Sequence, residues 1–398
     1  MLELKFGPKK GVWADDPETL EKLRKNFFGS PASKSKEQRL DIEEALFLVN
    51  FQNAVSKDSK GKTIGFNRLA SFFAGKEQRL FVKYNAYRDW RDRGLIIKRL
   101  ENAGAGKAKA KSLKRYPMRP FKEQKLKVRV VWYPDSLFSV MEDDATGKQL
   151  FEEFWFGQFG VYKQDRGGML KMDFLETVFL AKHFGMEVIN ISGGTASWEN
   201  ILDDVVKKRE YARQLYEVYE DWRLRGYVVK SGFKFGSHFR IYFPGASPAK
   251  EGKWVHSKHV LHVFPKDQKM LISEWSRAVR VAHGVKKTFI LSIPEMKPDD
   301  YVEYPADYVA YRRKKVGRDW VREEPETDKP RYLLVPVAED EHIGGVELAS
   351  LLKKAQDMGV ELLLSITDRE TAITYYVLKK VVLPGSNYEY YEIEWMKP

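Results

Sequence analysis

Apolar residues recur along this chain at two spacings, one typical of helices and one typical of strands. The segment DDVVKKREYARQLYEVYEDWRLRG (203–226) has apolar side chains at helical spacing and ends on Gly226, which predicts one amphipathic helix with a C-terminal stop. The following stretch, YVVKSGFKFGSHFRIYF, alternates apolar and polar positions and is interrupted by Gly232 and Gly236. That pattern predicts a strand, a turn and a second strand.

Two further apolar runs flank another helical pattern. HVLHVFP (259–265) and KTFILSIP (287–294) predict strands, and ISEWSRAVRVAHGV (272–285) between them has helical spacing. Helices and strands therefore alternate in small modules. The predicted fold class is α/β, built from mixed α+β modules.

The chain also repeats itself at fixed offsets. YRDWRDRG (87–94) recurs 132 positions later as YEDWRLRG (219–226). Nearer the N-terminus the offset is 128, where DDPETLEKLRKNFFG (15–29) lies on DDATGKQLFEEFWFG (143–157). The second copy therefore carries four extra residues, within QFGVYKQDRGGML (158–170). Internal repeats of this kind indicate duplicated structural units.

A looser match at offset 73 aligns 273–293 with 346–366, with coinciding apolar positions. The chain thus divides into two kinds of half-unit in the order A, A, B, B, and the middle A and B halves form one complete unit. The terminal halves would dock together as a second unit. The predicted domains are an A half at 1–106, a basic linker at 107–127, an A half at 128–230, a B half at 231–318 and a B half at 319–398.

The charge of the chain favours an anionic partner. Lys and Arg number 69 against 56 Asp and Glu, which gives a formal net charge of +13, and the pI is about 9.4. Nucleic acid is such a partner, although a solvated cationic surface has the same composition. The segment from Lys107 to Arg129 holds ten basic residues and one acid, which indicates a linker or solvated arm, with an arm that contacts RNA as the alternative.

Several classes are excluded by composition. The chain has no Cys, which excludes disulfides, thiol nucleophiles and thiolate zinc sites. Its first residues, MLELKFGPKKGVW, lack the apolar stretch of a signal peptide, and no run approaches the ~18 apolar residues of a membrane span. We therefore expect a cytoplasmic protein with no membrane partner.

The two B copies differ at three positions that carry chemistry. The first copy has Tyr242, His256 and Lys287. In a gapless register at offset 73, the residues opposite them are Lys315, Lys329 and Val360. The difference predicts a catalytic first B half beside an inert second one.

The three side chains suit the cleavage of RNA, whose 2'-hydroxyl is an internal nucleophile. His256 can act as an acid near neutrality because imidazole has an ordinary pKa of about 6.5. Tyr242 is a poor base unless a neighbouring cation such as Lys287 lowers its pKa and also stabilises the phosphorane. Such a reaction requires no metal or other cofactor.

Each residue also has an ordinary structural interpretation. A Tyr at the end of a strand such as FRIY commonly packs at the edge of a hydrophobic core. Lys287 beside Lys286 is typical of the solvated C-terminal end of a helix. His256 and His262 would share a strand face, but no carboxylate stands close enough to complete a zinc site. The residues alone leave an RNA-binding protein and a nuclease as alternatives.

Three stretches resemble the catalytic unit of the archaeal tRNA-splicing endonucleases. They are YEVYEDWRLRGYVVKSGFKFGSHFRIY, HSKHVLHV and RAVRVAHGVKKTFIL, in that order, and the resemblance covers about 170–293. It implies a metal-independent endoribonuclease that cuts precursor tRNA at bulge-helix-bulge junctions. The implied products carry 2',3'-cyclic phosphate and 5'-hydroxyl ends.

The resemblance also implies residue roles. Tyr242 would be the general base, His256 the general acid and Lys287 the cation that stabilises the transition state. Arg280 would be one of two cations that hold an extruded bulge base, with Arg312 as the candidate for the second.

Tyr242, His256 and Lys287, here called the triad, occur once per chain, whereas each intron requires two cuts. The resemblance therefore implies a homodimer, in the three-unit fused form of the family. An acidic turn with Asp368 and Glu370 is the candidate dimer contact, although it is also an ordinary exposed hairpin. Lys163, in the four-residue excess, is a candidate RNA contact, and loop variation without function is the alternative.

Two other functions stay open. The first is a noncatalytic scaffold that binds structured RNA, against which the Tyr, His and Lys, present once and in order, argue. The second is a metal-dependent DNA nuclease, for which YPDS (133–136) lacks a paired acid.

Overall fold

The structure is a computed structural model that describes residues 1–31, 36–102, 113–120, 125–161, 166–250 and 253–398. The predicted fold class is confirmed, because helices and mixed sheets alternate throughout these residues. None of their helices combines the length and apolar character that crossing a membrane requires.

The first A half is a small mixed sheet covered by helices. Its elements are β1 (Glu3–Gly7), β2 (Gly11–Ala14), α1 (Pro17–Lys25), β3 (Ser30–Pro31), β4 (Gln38–Leu40), α2 (Ile42–Phe51), β5 (Val55–Lys57), β6 (Thr63–Ile64), α3 (Phe66–Ala74), α4 (Leu80–Asp92) and β7 (Ile97–Arg99). Strands β1 to β6 form one sheet in the order β3-β4-β2-β1-β5-β6, and β7 leaves it to join the central sheet.

The second A half repeats this plan after a short linker strand. Its elements, with the linker strand first, are β8 (Lys114–Arg115), β9 (Arg129–Tyr133), β10 (Phe138–Met141), α5 (Asp144–Phe154), β11 (Gln158–Phe159), β12 (Leu170–Asp173), α6 (Phe174–Phe184), β13 (Glu187–Asn190), α7 (Trp198–Val206), α8 (Ala212–Leu224) and β14 (Val228–Ser231). The one helix predicted over 203–226 is in fact α7 and α8, separated by Tyr211 in the left-handed region (φ 41°).

The B halves supply the strands of the central sheet. The first contributes β15 (Phe239–Tyr242), β16 (Ala249–Lys250), β17 (Lys253–Trp254), β18 (His259–Val263), β19 (Lys269–Leu271), α9 (Ile272–Gly284) and β20 (Thr288–Ile293). The elements that follow are β21 (Tyr308–Ala310), β22 (Arg313–Val316), β23 (Asp319–Arg322), β24 (Tyr332–Ala338), β25 (His342–Gly344), α10 (Gly345–Asp357), β26 (Glu361–Thr367), β27 (Ile373–Val382) and β28 (Glu389–Met396). The strands predicted at 259–265 and 287–294 and the helix predicted at 272–285 are confirmed within two residues.

One sheet runs through both B halves. Its strand order is β14-β15-β18-β20-β28-β27-β26-β24-β21-β7, with β8 paired to β27. Helices α9 and α10 pack on one face through a core that includes Trp275 and Leu348. The A halves pack on the other face, where Ile241 joins the core of the second A half and Leu334 joins that of the first.

The strand register corrects one prediction about the B copies. Ile241 pairs with Val229 and His259, and its equivalent Ala310 pairs with Ile97 and Tyr332. Tyr311, the next residue, therefore occupies the position of Tyr242, and the Lys315 predicted there is wrong. The gapless register fails because the connection from β21 to β24 is longer than that from β15 to β18.

The same pairing changes the boundary between the B halves. The boundary predicted at 318 lies in the turn between β22 and β23, whereas β21 already pairs with β24 of the second half. The second B half therefore begins before Tyr308. The equivalences of His256 with Lys329 and of Lys287 with Val360 agree with the register, in which His259 corresponds to Tyr332 and Thr288 to Glu361.

The described part of the linker is mostly exposed to solvent, yet it is attached to the central sheet. Residues 114–115 form β8, and the Tyr116 side chain is buried. Its hydroxyl and the Lys114 amine both donate to the buried Glu392 carboxylate at 2.6 Å. The linker therefore fastens the C-terminal strand to the second A half.

Candidate active site

Tyr242 lies at the end of β15 with its ring against the second A half. The ring is only 4% exposed, and its centroid lies 4.6 Å from that of Trp155. Trp155 ends α5 in a left-handed conformation (φ 52°), which turns its indole towards β15. The Arg240 guanidinium lies 5.9 Å from the Tyr242 ring centroid. The phenol ring thus packs on an indole and has a cation nearby.

Lys287 is positioned by the end of α9. Its amide donates to the carbonyl of Ala282 at 2.9 Å, and the preceding Lys286 is left-handed (φ 56°). The Lys287 amine donates to the carbonyl and, at 2.9 Å, to the hydroxyl of Ser257. Lysine 287 therefore fixes the loop that carries His256, whose side chain is exposed at the rim of the site.

The predicted catalytic residues line one cavity. It has a volume of about 410 Å³, and Tyr242, His256 and Lys287 all contribute to its wall. Each comes from a different segment: the end of β15, the loop before β18 and the start of β20. The strand order β15-β18-β20 makes these three segments neighbours.

Cations dominate the electrostatics beside the triad. Burial, and then the charge of Arg240, lower the pKa of the Lys287 amine below its usual range. Lys230, at the base of the cavity, pairs with Glu176 at 2.7 Å, and burial lowers its pKa. Because Lys230 is already paired, Lys287 and Arg240 are the cations best placed for a phosphate.

Two histidines near the triad were not singled out as site residues from the sequence. The rings of His238 and His262 lie 4.3 Å apart, and His238 Nδ1 accepts a hydrogen bond from the Val263 amide at 2.9 Å. Burial lowers the pKa of His238 to about 3 and that of His262 to about 4. Both imidazoles are therefore neutral at physiological pH. His238 lines the cavity, and its Nε2 makes a hydrogen bond with the Tyr211 hydroxyl at 3.3 Å.

The structure does not bring Arg280 and Arg312 together within one chain. Arg280 is exposed on α9 and interacts with the Tyr376 hydroxyl on the α9 face of the central sheet. Arg312 follows β21, and its guanidinium donates to the Tyr332 hydroxyl at 3.3 Å. Tyr332 belongs to the core of the first A half, on the opposite face.

Trp395 lies on the same face as Arg280 and was missed in the sequence. It pairs in register with Tyr376, which places both side chains on one face of the sheet. Its ring is 39% exposed and lies 5.5 Å from that of His283 on α9. Trp395 could not be predicted from the local sequence, because it reaches α9 only through the pairing of β28 with β20.

The remaining predicted residues lie outside the cavity. Asp368 accepts hydrogen bonds from the amides of Glu370 and Ala372 and so shapes the turn between β26 and β27. Glu370 is exposed on that turn. Lys163 lies outside the described residues.

The second B half has a degenerate version of the site. Tyr311 is buried in a small cluster against which Phe27 packs, and Phe27 corresponds to Trp155 at offset 128. Val360 stands where the first copy has Lys287, and Lys329 where it has His256. The phenol is thus retained, but the cation at the strand start and the imidazole are not.

Comparisons with known proteins identify the family of the chain. Residues 212–304 match the family model of the tRNA intron endonuclease, catalytic C-terminal domain. A tRNA-splicing endonuclease of Methanopyrus kandleri is 36% identical over 177 residues, which is 44% of this chain and 92% of that protein. One of Thermococcus kodakarensis is 32% identical over 177 residues, 44% of this chain and 95% of that protein. One of Methanococcoides burtonii is 26% identical over 343 residues, 70% of this chain and 91% of that protein.

Proposed function

This chain belongs to the archaeal tRNA-splicing endonucleases, and from that premise we propose that it excises introns from precursor tRNA by cutting at bulge-helix-bulge junctions. The observation that carries the proposal is the convergence of Tyr242, His256 and Lys287 on one cavity. The equivalent place in the second B half has no histidine and no lysine at the strand start.

The proposed reaction uses the 2'-hydroxyl of the substrate as nucleophile. Tyr242 takes its proton, and the 2'-oxygen attacks the adjacent phosphorus. The bond from phosphorus to the 5'-oxygen breaks, and His256 gives the leaving oxygen a proton. The products are a 2',3'-cyclic phosphate and a 5'-hydroxyl, and no metal takes part.

The cations supply the electrostatic part of this mechanism. Lys287 faces the negative charge that grows on the phosphorane, where a preorganised cation is worth most. The Arg240 guanidinium, 5.9 Å from the Tyr242 ring centroid, supplies a positive charge near the proposed base. The bond from the Lys287 amine to Ser257 holds the His256 loop in place.

Recognition of the junction is proposed to use an unpaired base. Arg280 and Trp395 share one exposed face and together offer a cation and an aromatic ring to a single nucleotide. Arg312 stays a proposed RNA contact, but at a separate surface. Lys163 is a further proposed contact.

Two cuts require two sites, so the working form is proposed to be a homodimer. The turn with Asp368 and Glu370 is the proposed contact to the partner chain. Each chain then contributes one active triad.

An assay with a bulge-helix-bulge RNA in excess chelator tests the proposal. Cleavage to a cyclic phosphate end supports it. Binding without cleavage would indicate a scaffold, and cleavage that chelator abolishes would indicate a metal enzyme. The Tyr242→Phe variant serves as the inactive control.

A further inference from the structure

Strands β22 and β23 form a two-stranded hairpin outside the central sheet, here called the basic hairpin (313–322). The stretch RRKKVGRDWVR (312–322) contains six cations and one acid. Gly317, with φ 62°, makes the tight turn at its tip. The hairpin lies between β21 and β24 of the inert half, where the catalytic half carries the His256 loop. The triad does not use it.

One face of the basic hairpin combines cations with an exposed tryptophan. Arg313 pairs with Arg322 and Lys315 with Trp320. Residues directly opposite each other in an antiparallel pair share a face, so these four side chains form one surface. Trp320 is 68% exposed, which is unusual for a tryptophan.

Much of the charge on the hairpin is not neutralised. Nearby carboxylates pair with Lys314 and Arg322, through Asp328 and Glu324. Arg313 donates to the neutral carbonyl of Arg93 at 2.7 Å. Across the described ranges of the chain, Arg313, Lys315 and Arg318 form no ion pair with a carboxylate.

We propose that this face binds the tRNA body of the substrate, away from the cleavage junction. The proposal rests on the proposed function. Lys315 on this face and Arg318 in the adjacent turn contact phosphates, and the Trp320 indole stacks on an unpaired base. The unpaired cations of this face complement a polyanion, and a contact with a second copy of this chain is an outcome that the test below distinguishes.

The position of the hairpin supports a contact remote from the cut. Seven strand spacings separate β15, which carries Tyr242, from β21, which leads into the hairpin. At about 4.8 Å per spacing they are roughly 34 Å apart along the sheet. No side chain of the hairpin can therefore reach a phosphate in the cavity of its own chain.

Binding experiments separate this surface from the active site. A His256→Ala background leaves the substrate uncut, and the added variants are Trp320→Ala and the double variant Lys315→Ala/Arg318→Ala. Val316→Ala is the matched control, because Val316 is 53% exposed on the other face of the hairpin. Trp320→Phe keeps an aromatic ring and should restore binding. Each is measured with a full precursor tRNA and with a short bulge-helix-bulge RNA.

We expect Trp320→Ala to weaken binding of the full precursor roughly tenfold to a hundredfold. The double variant should reduce the slope of log affinity against log salt by about 1 to 2, since each phosphate contact contributes about 0.7 to 0.9. Binding of the short RNA should be unchanged. Equal losses on both RNAs, no loss on either, or a change in oligomeric state would overturn the proposal. Failure of the wild type to cut the short RNA would instead refute the proposed function, since the binding readout does not need cleavage.

Discussion

The two B halves differ in one side chain at the start of equivalent strands, which is Lys287 in the first half and Val360 in the second. The amides of Lys287 and Val360 make the same bond, to the carbonyls of Ala282 and Ala355 at 2.9 Å, so the backbone is the same in both. Only the side chain changes, from an amine that binds Ser257 to an isopropyl group. The second B half has kept the backbone of this position and lost its amine.

Replacing Tyr242 by Phe tests the role of the phenol. The ring should still pack on Trp155, so the free energy of unfolding should change by less than about 1 kcal/mol. Cleavage should fall about a hundredfold or more if the hydroxyl is the base. Single-turnover rates and denaturant unfolding measure the two effects. Tyr311→Phe is the same change at the equivalent position and should leave cleavage intact.

Replacing His256 by Ala tests the proposed acid. Its side chain is exposed at the rim, so its removal should not perturb the core. We expect a loss of about a hundredfold or more in single-turnover rate, with RNA affinity unchanged. A substrate whose leaving 5'-oxygen is replaced by sulfur needs no acid and should restore the rate. If His256 had only a structural role, the sulfur-substituted substrate would not restore the cleavage rate of the variant.

Site residues that lie in a recognisable sequence motif could be predicted from the sequence. Residues that reach a surface only through tertiary contacts could not. Tyr242, His256 and Lys287 all line one cavity, as their chemistry suggested. Trp395 joins the Arg280 surface only because β28 crosses from the far end of the chain. No local pattern around Trp395 contains that information.

At the scale of elements, strand patterns were more informative than helix patterns. The segment 203–226 keeps helical spacing through the break at Tyr211 because Val205, Ala212 and Leu215 all enter one core. Apolar periodicity reports which side faces the core, and it does not report whether the backbone between two turns is continuous. The first A half breaks in the same way, at Arg79 (φ 59°).

The contact between α6 and α8 should make the free energy of unfolding depend on pH in the acid range. Burial raises the pKa of Glu220, but hydrogen bonds from His183, Tyr216 and Lys182 outweigh it and lower the pKa to about 2. A carboxyl whose pKa is depressed on folding adds stability above its unfolded pKa of about 4.3 and loses it as the pH falls towards 2. The contribution is up to roughly 3 kcal/mol at neutral pH.

Glu220→Gln should therefore lower stability at pH 7 and flatten its decline between about pH 4.5 and 2, as measured by urea unfolding. Glu217→Gln on the same helix is the matched control. Burial, and then Glu295, raise the pKa of Glu217, so this carboxyl adds stability as the pH falls, and its removal should leave the decline in acid at least as steep as in the wild type. An identical pH profile for Glu220→Gln and the wild type would contradict the assignment.

At the scale of the whole molecule, the first B half pairs with the C-terminal strand β28. Strand β20, which begins beside Lys287, pairs with β28 from Phe289↔Ile393 to Ile293↔Glu389. Strand β28 also pairs with β27, so it joins the two B halves into one sheet. The repeats in the sequence predicted that the halves are equivalent. They could not predict that strands about a hundred residues apart pair with each other, because a repeat offset shows similarity between segments and not contact between them.

The proposed homodimer predicts a molecular mass in solution of twice the 46.4 kDa of one chain. Glu370→Lys reverses a charge on the acidic turn while leaving Asp368, which shapes that turn, unchanged. If the turn contacts a cationic surface of the partner chain, this variant should shift the mass towards a single chain and lower cleavage at the same protein concentration. Sedimentation velocity and single-turnover cleavage measure the two effects.

Asp340→Lys is the control for this variant, because it reverses an exposed acid of the same half in the neighbouring loop between β24 and β25. A general loss of acidic charge would affect both variants, whereas a specific contact is lost only with Glu370. Because two cuts require two triads, dissociation should lower the yield of excised intron more than that of singly cut RNA. A wild-type chain that sediments as a monomer while releasing whole introns would contradict the dimer and the need for two sites together.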